Sequence, residues 1–479
     1  MTRILFWNIE QFGINKIRNP SRAIGNNTGG LTLYQAANQR RALLRRVIVA
    51  TEPDIIVIIE VSSGDNRPNR ELATSTGGMQ ALVYLQNYLN TLGVLFPGGW
   101  NQVPPLQVGL GARAEAVGVL YRRQNNNGAV LRYFTGPNTW GGGNGPSVDP
   151  RIINFSQPYG NNGQVNFDAM LMPPGLGAVR NIPAGALHNP RLPENQVAAR
   201  VQQFTDAQNR RINYGGYREP YMVTFTETDN AGTVQRNLTL FCIHTSPQGN
   251  IPAHYVDGLA NTQEIVEPLG ANETRVVGGD FNLNLLLLNG APSGAYNALT
   301  NNNYTLLVAP TAAGAAANVE QYKGYFSTHI RYPQLTAPSR FLWSDPGGGQ
   351  PPRPQQDSFY PGYGYVGSNF VPVGTPFYAI DNILVWPFQG PPYNYQTTIM
   401  NLVTGTPFNA VAAADNPPQG IVNMPSAFGI FNPPPNWPPA PPAAAPNYPG
   451  IGGARNLTSW ANYGRIRSTS DHFAVFANV

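Results

Sequence analysis

A series of short apolar runs, each bordered by a polar residue, extends over almost the whole of this 479-residue chain. The first run, Ile4–Trp7, ends at Asn8, and the last begins after Asp471 and His472. Apolar runs of about four to eight residues are typical of buried strands. Because a sheet brings the ends of its strands to a common edge, the pattern predicts one site built from distant parts of the chain. We therefore expect a single domain over residues 1–479.

The polar residues that border these runs share a position at a strand end. They are Asn8, Glu60, His244, Asp280 with Asn282, Asp381, and Asp471 with His472. One polar residue at a strand end is ordinary, but six such places in one chain indicate a common chemical role. Their oxygen atoms suit a hard cation such as Mg²⁺ or Mn²⁺. The two histidines can divide proton transfer between them, and Glu115 and Asp381 are available to orient the imidazole rings.

Helical and strand patterns alternate along the chain and predict an α/β or α+β layered core. The predicted strands are at residues 3–9, 54–61, 115–121, 221–226, 237–244, 275–280, 378–386 and 472–477. The predicted helices are at residues 34–50, 79–92 and 256–265. Strands 221–226 and 237–244 are separated by a turn-like sequence and predict a hairpin.

Three stretches rich in Gly, Pro and Asn interrupt this pattern, at about residues 136–193, 284–376 and 389–463. The chain has 51 Gly and 46 Pro, and only 11% of its residues are charged, which is typical of a loop-rich protein. We interpret the three stretches as long insertions that carry small elements of their own. The single cysteine, Cys242, excludes an intrachain disulfide and a thiolate metal cluster.

Charge and targeting signals say little about the setting of the protein. A formal charge of +5 over this length is weak evidence for a polyanionic partner without local clustering. The N-terminal sequence lacks the features of a Sec signal peptide, and no apolar stretch is long enough to cross a membrane. We expect a monomer that is cytoplasmic or exported without a leader. Lys16 and Lys323 are the only lysines, which suits an effector that is delivered into another cell.

Eight motifs in order carry a resemblance to a known family. They are Ile4–Gly13 (ILFWNIEQFG), Pro53–Val61 (PDIIVIIEV), Glu115–Arg122 (EAVGVLYR), Tyr217–Phe225 (YREPYMVTF), Ile243–Pro247 (IHTSP), Gly279–Asn282 (GDFN), Ile380–Val385 (IDNILV) and Ser470–Phe473 (SDHF). Each motif is weak alone. Together, in the order that the family has, they resemble the deoxyribonuclease I-like superfamily, which is also called the endonuclease/exonuclease/phosphatase superfamily.

The resemblance implies a four-layer α-β-β-α sandwich and a divalent-metal-dependent phosphodiesterase. Mg²⁺ or Mn²⁺ would be the catalytic ion, with Ca²⁺ as a structural or auxiliary option. The implied cation ligands are Glu60, Asn8, Asp471 and Asp280. The implied catalytic residues are His472 with Asp381 on the attacking water, His244 with Glu115 on the leaving-group side, and Asp280 and Asn282 at the scissile phosphate. Arg218 would contact a phosphate oxygen, and the order of acid and base among the histidines stays open.

The substrate is left open between two enzyme classes. The Arg218-Glu219-Pro220 motif and the opening strand favour an endonuclease that hydrolyses DNA, so we expect a nucleic acid partner. The alternative is a phosphatase or phospholipase C-type hydrolase that acts on phosphoinositide, sphingomyelin or another phosphoester. A binding module without activity ranks last, because every core position of the motifs is filled.

The chain departs from the family pattern at two positions. Ser62 stands where deoxyribonuclease I has an arginine, and Arg113 stands where it has a tyrosine that enters the minor groove. Arg113 can still contact a narrow groove. Because His188, His254 and His329 lie in no motif, we interpret them as surface or hydrogen-bonded histidines.

Overall fold

The structure is a computed structural model. Its main described ranges are 1–17, 33–64, 76–96, 99–109, 113–122, 130–135, 218–228, 234–248, 250–269, 273–287, 291–309, 379–388, 396–399 and 472–479. Shorter described pieces are 72, 206–208, 210, 212, 214, 328–329, 343–344, 353–354, 359–360, 364–365 and 469–470. The predicted insertion at 136–193 lies outside the described residues, as does Asp471.

The described residues form sixteen strands and six helices. The strands are β1 (Arg3–Phe12), β2 (Ile55–Val61), β3 (Trp100–Val108), β4 (Glu115–Arg122), β5 (Val130–Thr135), β6 (Tyr221–Thr228), β7 (Val234–His244), β8 (Glu273–Asp280), β9 (Thr305–Leu306), β10 (Trp343–Ser344), β11 (Arg353–Pro354), β12 (Phe359–Tyr360), β13 (Gly364–Tyr365), β14 (Asp381–Trp386), β15 (Gln396–Ile399) and β16 (Val475–Asn478). The helices are α1 (Ile14–Ile17), α2 (Leu33–Thr51), α3 (Gly77–Asn90), α4 (Ile251–Ala260), α5 (Gln263–Val266) and α6 (Asn297–Thr300).

Two six-stranded mixed sheets contain most of these strands. The first sheet has the order β15-β16-β1-β2-β4-β3, and the second has the order β5-β6-β7-β8-β14-β9. Each sheet contains one parallel central pair, β1 with β2 and β7 with β8. Parallel strands end at the same edge of a sheet. In each sheet, the polar residues at the ends of the two parallel strands therefore lie close together.

The two sheets pack face to face through apolar side chains and two glycines. A Cβ atom at Gly278 would lie 2.8 Å from the ring of Phe6 in β1, and one at Gly279 would lie 2.7 Å from Ile59 in β2. Tyr121 of β4 and Phe225 of β6 meet edge to face, with ring centroids 5.4 Å apart. Glycines at these positions let the sheets approach closely. The core therefore lies between the sheets.

Helices lie beside both sheets. Leu82 of α3 packs against Gly118 of β4 so closely that the glycine has no room for a Cβ atom. Arg275 of β8 donates hydrogen bonds to the carbonyl oxygens of Ile265, in α5, and of Glu267. Mixed sheets with flanking helices confirm the predicted α/β fold class. Among the described helices, none combines the length and apolar content needed to cross a bilayer.

The predicted helix over residues 256–265 is wrong in its bounds. The structure has α4 and α5 in its place, separated by Asn261 and Thr262. The side chains of these two residues donate to the carbonyl oxygens of Asp257 and Gly258 and end the first helix. Side chains that compete for backbone groups in this way favour helix ends over helix interiors.

The second predicted insertion, residues 284–376, supplies elements that contact the core. Its β9 pairs with β14, and an isolated bridge joins His329 to His472. Among its described residues, the stretch therefore contacts the second sheet through β9 and lies beside His472, which precedes β16 of the first sheet.

Candidate active site

Strand register brings three of the predicted side chains side by side. His244 is the last residue of β7 and pairs with Asp280, the last residue of β8. Asp280 also pairs with Asp381, the first residue of the antiparallel β14. These three residues therefore form a row at one edge of the second sheet. Asn8 and Glu60 reach the same place from the facing sheet, in β1 and β2.

The first histidine pair is His244 with Glu115. The Nδ1 atom of His244 lies 2.5 Å from Glu115 Oε1, and both side chains are buried. Burial lowers the pKa of His244, but the Glu115 and Glu60 carboxylates raise it and prevail, so the net shift is upward. A buried carboxylate at Nδ1 fixes the tautomer and leaves Nε2 to face the site. The pair that the sequence predicts is therefore present.

The second histidine pair is His472 with Asp381. The Nδ1 atom of His472 lies 2.7 Å from Asp381 Oδ2, and both residues are buried. The backbone of His472 is also fixed, because its N–H donates to Ser470 Oγ at 2.8 Å and its carbonyl accepts from Trp7 Nε1 at 3.0 Å. The second predicted pair is therefore present and rigidly held.

Both histidines point their Nε2 atoms at Asp280. Its Oδ2 atom lies 3.5 Å from Nε2 of His244 and 3.6 Å from Nε2 of His472. The Nδ2 atom of Asn8 donates to the same oxygen at 3.1 Å. Burial raises the pKa of Asp280 to about 6, against the opposing charges of the histidines. The site is therefore a compact, desolvated cluster in which small changes of environment alter protonation.

Glu60 sits at an irregular point of its strand. The register of β2 shifts between Ile58 and Val61 against β4, and the φ angle of Glu60 is 62°. Its side chain contacts Asn8 Nδ2 at 3.1 Å, and its other oxygen accepts from the N–H of Gln11 at 3.2 Å. A β-bulge with positive φ at a non-glycine residue re-aims a side chain at a cost in backbone strain. Such strain is typical of functional positions.

The residues present fit a cation bound between the two sheets. The Oδ1 atom of Asn8 is buried and has no hydrogen-bond partner among the described residues. It belongs to the side chain that contacts both carboxylates, Glu60 and Asp280. A buried acceptor of this kind is costly unless an unseen donor or an ion satisfies it. Together these oxygens are the donor set that Mg²⁺ or Mn²⁺ prefers.

A second acidic group, Asp280 with Asp381 and His472, has ligand atoms within 4.8 Å of one another. Its Asp381 and His472 side chains are already paired to each other. Two sets of candidate cation ligands therefore meet at Asp280 among the described residues, this one and the set with Asn8 and Glu60.

Arg218 and Asn282 flank the row. The guanidinium of Arg218 contacts Glu115 Oε2 at 2.9 Å and donates to the carbonyl of Arg113 at 3.1 Å, and its side chain is 15% exposed. Asn282 has a φ angle of 50°, its N–H donates to Asp280 Oδ1 at 2.8 Å, and its Nδ2 donates to the Thr245 carbonyl. Both side chains therefore lie beside the first histidine pair, through contacts with Glu115 and with Thr245, the residue after His244.

The structure places His329, which lies in no motif, beside His472, and the sequence analysis did not single out Thr328 at all. The rings of His329 and His472 meet edge to face with centroids 4.7 Å apart. Thr328 contacts the backbone of Asp381. No local pattern marks either residue, because the residues they contact are distant in sequence: Asp381 lies 53 positions after Thr328, and His472 lies further still. His254 is exposed on α4, as expected, and His188 lies outside the described residues.

The comparisons with known proteins give structural matches alone. No family model and no curated protein matches the sequence. A structure of an endonuclease/exonuclease/phosphatase family protein from Leptotrichia buccalis is 11% identical, with a TM-score of 0.31, and the match covers 80% of this chain and 88% of that one. A mannosyl-6-phosphatase from Bacteroides thetaiotaomicron is 10% identical, with a TM-score of 0.32 and coverage of 100% and 99%.

A third match is D. rerio TDP2 complexed with single strand DNA product, at 11% identity, a TM-score of 0.33 and coverage of 100% and 99%. Matches at this level carry no argument. The resemblance to the deoxyribonuclease I-like superfamily therefore rests on the ordered motifs, and the two facing mixed sheets, which bring those motifs to one site, agree with it.

Proposed function

We propose that this protein is a divalent-metal-dependent phosphodiesterase. One observation carries the proposal: the Nε2 atoms of two buried histidine–carboxylate pairs converge on Asp280, at 3.5 and 3.6 Å. Two proton carriers on either side of a small polar site suit a displacement at phosphorus, in which one proton leaves the attacking water and another joins the leaving oxygen. Few other reactions need this pairing beside a set of hard oxygen ligands.

The histidine pairs divide the proton transfers. A carboxylate at Nδ1 of each ring directs Nε2 toward Asp280, where Nε2 can accept or donate one proton. The raised pKa of His244 favours its protonated form and supports a role on the leaving-group side, as the general acid. His472, held by Asp381, then orients the attacking water and accepts its proton. Asp280 and Asn282 would contact the phosphoryl group between the two rings.

Asn8 and Glu60 would hold the cation, with Asp471 as a further ligand outside the described residues. A bound Mg²⁺ or Mn²⁺ supplies charge neutralisation at a phosphoryl oxygen. Arg218 would contact a second phosphate oxygen. Glu115 and the Arg113 and Thr245 carbonyls hold the guanidinium in place beside the first histidine pair.

For the substrate we propose DNA. The support is the Arg218-Glu219-Pro220 strand start, which resembles the deoxyribonuclease I branch, together with Arg113, an exposed cation whose carbonyl is tied to Arg218. A polynucleotide offers neighbouring phosphates to both arginines. A phosphoinositide or sphingomyelin offers a single headgroup.

A substrate panel tests the proposal. Supercoiled plasmid, an abasic duplex, RNA and phosphoinositide vesicles are incubated with the full chain in Mg²⁺ or Mn²⁺ and in EDTA. We expect plasmid nicking that needs the cation, and its loss in both His244→Ala and His472→Ala. His254→Ala, on the exposed face of α4, is the matched control and should nick at the wild-type rate. Turnover of phosphoinositide without nicking would replace the DNA assignment, and inactivity on every substrate would reject the enzyme.

A further inference from the structure

Two consecutive residues, Thr328 and His329, contact both members of the second histidine pair. The Oγ1 atom of Thr328 accepts hydrogen bonds from the N–H groups of Ile380 and Asp381, both at 3.0 Å. Its carbonyl oxygen accepts from the N–H of Phe473, next to His472, at 2.7 Å. Thr328 therefore joins the segment that carries the carboxylate to the segment that carries the imidazole.

His329 adds a second contact to the same unit. It forms an isolated antiparallel bridge with His472, and its ring stands at 72° to the His472 ring. Edge-to-face contact restricts rotation of the His472 ring about its side-chain bonds. The ring is therefore bounded by Asp381 at Nδ1 and by His329 at its side.

The bonds of Thr328 are well suited to setting the distance between the paired groups. Ile380 and Asp381 are buried, so their N–H groups need an acceptor inside the protein. Thr328 is fully buried and supplies one hydroxyl oxygen for both. Without it, the start of β14 would relax toward another acceptor and carry the Asp381 carboxylate with it. Misplacement of a catalytic group by about 1 Å costs roughly 100-fold in rate.

We propose that Thr328 is a positioning residue for the His472–Asp381 pair, and that the His329 ring is the wall that keeps His472 aligned. The proposal rests on the proposed phosphodiesterase function. It assigns a role in the site to a stretch that the sequence analysis places in an insertion. The role belongs to the hydroxyl oxygen of Thr328, which accepts both hydrogen bonds. A valine at this position would keep the shape of the side chain and remove the acceptor, so Thr328→Val tests this oxygen alone.

The kinetic experiment compares Thr328→Val, Thr328→Ser and Thr51→Val on a soluble phosphodiester, bis-p-nitrophenyl phosphate. Thr51 is the matched control, a buried threonine in α2 whose hydroxyl donates to the Val47 carbonyl at 2.8 Å. We expect Thr328→Val to lower kcat by about 10-fold to 100-fold with KM within about twofold. Thr328→Ser should restore kcat to within about threefold. Thr51→Val should leave both constants unchanged while lowering the unfolding midpoint.

The substitutions His329→Phe and His329→Ala test, in the same assay, whether the His329 ring keeps His472 aligned. Phenylalanine keeps an aromatic edge against His472 and should keep kcat, whereas alanine should lower it without a change in KM. If alanine and phenylalanine behave alike, the wall is rejected.

A spectroscopic readout separates this proposal from the proposed function. The chain has five histidines, so ¹⁵N-histidine labelling gives few signals, and His472→Ala assigns the one that belongs to His472. In the wild type we expect the Nδ1 proton of His472, in contact with Asp381, to resonate at low field. In Thr328→Val this resonance should move upfield, whereas in Thr51→Val it should keep its position. An unchanged signal, or a kcat loss that Thr51→Val reproduces, overturns the proposal. A wild-type protein that is inactive on every substrate rejects the function, and the signal still decides the positioning role.

Discussion

Replacement of Asp280 by asparagine should make the folded protein less sensitive to rising pH. Burial raises the pKa of the Asp280 carboxyl from 3.8 to about 6 in the folded chain. The folded state therefore binds this proton more tightly than the unfolded state does. The stability that the group contributes is fully present below about pH 3.8 and is lost as the pH rises through about 6. Asparagine does not titrate and shows no such loss.

The size of the effect follows from the shift. A shift of about two pKa units corresponds to roughly 3 kcal/mol between the two protonation limits. Between about pH 4.5 and about pH 7.5, roughly 2 kcal/mol of this amount is lost, because the unfolded group is already partly ionised at the lower pH. Asparagine also alters the hydrogen bonds from Asn8 and Asn282. These alterations change the free energy of unfolding by the same amount at both pH values. They cancel in the comparison.

Urea denaturation at the two pH values, in EDTA, measures the quantity directly. The free energy of unfolding of Asp280→Asn minus that of the wild type should increase by about 2 kcal/mol on going to the higher pH. Asp257→Asn, at an exposed position of α4, is the control and should show no such change. If the difference in unfolding free energy between Asp280→Asn and the wild type stays constant within about 0.5 kcal/mol, the reasoning is refuted. Burial would then not raise the pKa of the Asp280 carboxyl.

Two further substitutions test the frame of the site. Gly279→Ala places a Cβ atom on the Ile243 carbonyl at a φ angle of 136°, so urea denaturation should show a loss of at least about 3 kcal/mol. Gly93→Ala, where a Cβ atom would lie 3.7 Å from the Asn90 carbonyl oxygen, an ordinary contact distance, should cost under about 1 kcal/mol, and equal losses would contradict the close packing. Glu115→Gln should lower kcat by about 100-fold or more and move the alkaline limb of the pH–rate profile to lower pH, because the carboxylate raises the pKa of His244. An unmoved limb would remove His244 from the proton transfer.

Much of the site could be predicted because its residues sit at the borders of apolar strands. His244, Asp280 and Asp381 are each the first or last residue of a strand, so strand ends in the sequence are also neighbours in the sheet. The resemblance to the family implied the pairing of each histidine with its carboxylate. The cation ligands remain a prediction, with Asp471 outside the described residues.

The elements that were missed depend on long-range contacts. Strand β3 contains Pro104 and Pro105, which break a strand pattern in sequence, yet β3 is an edge strand and its register shifts between Val103 and Leu106. Proline is tolerated at an edge or bulge because it need not donate to a neighbour there. No sequence pattern indicates a role for His329, because only the folded chain brings it to His472.

The distance in sequence between Asn8 and His472 has a consequence for synthesis. Their side-chain nitrogens are 3.5 Å apart, although 464 positions separate them along the chain. A nascent polypeptide emerges from the ribosome in order, and such distant contacts form late. Asn8, Glu60, Asp280 and the first histidine pair leave the ribosome well before His472 does. We therefore expect a product of premature termination upstream of residue 472 to lack the proposed phosphodiesterase activity in the cell that makes it.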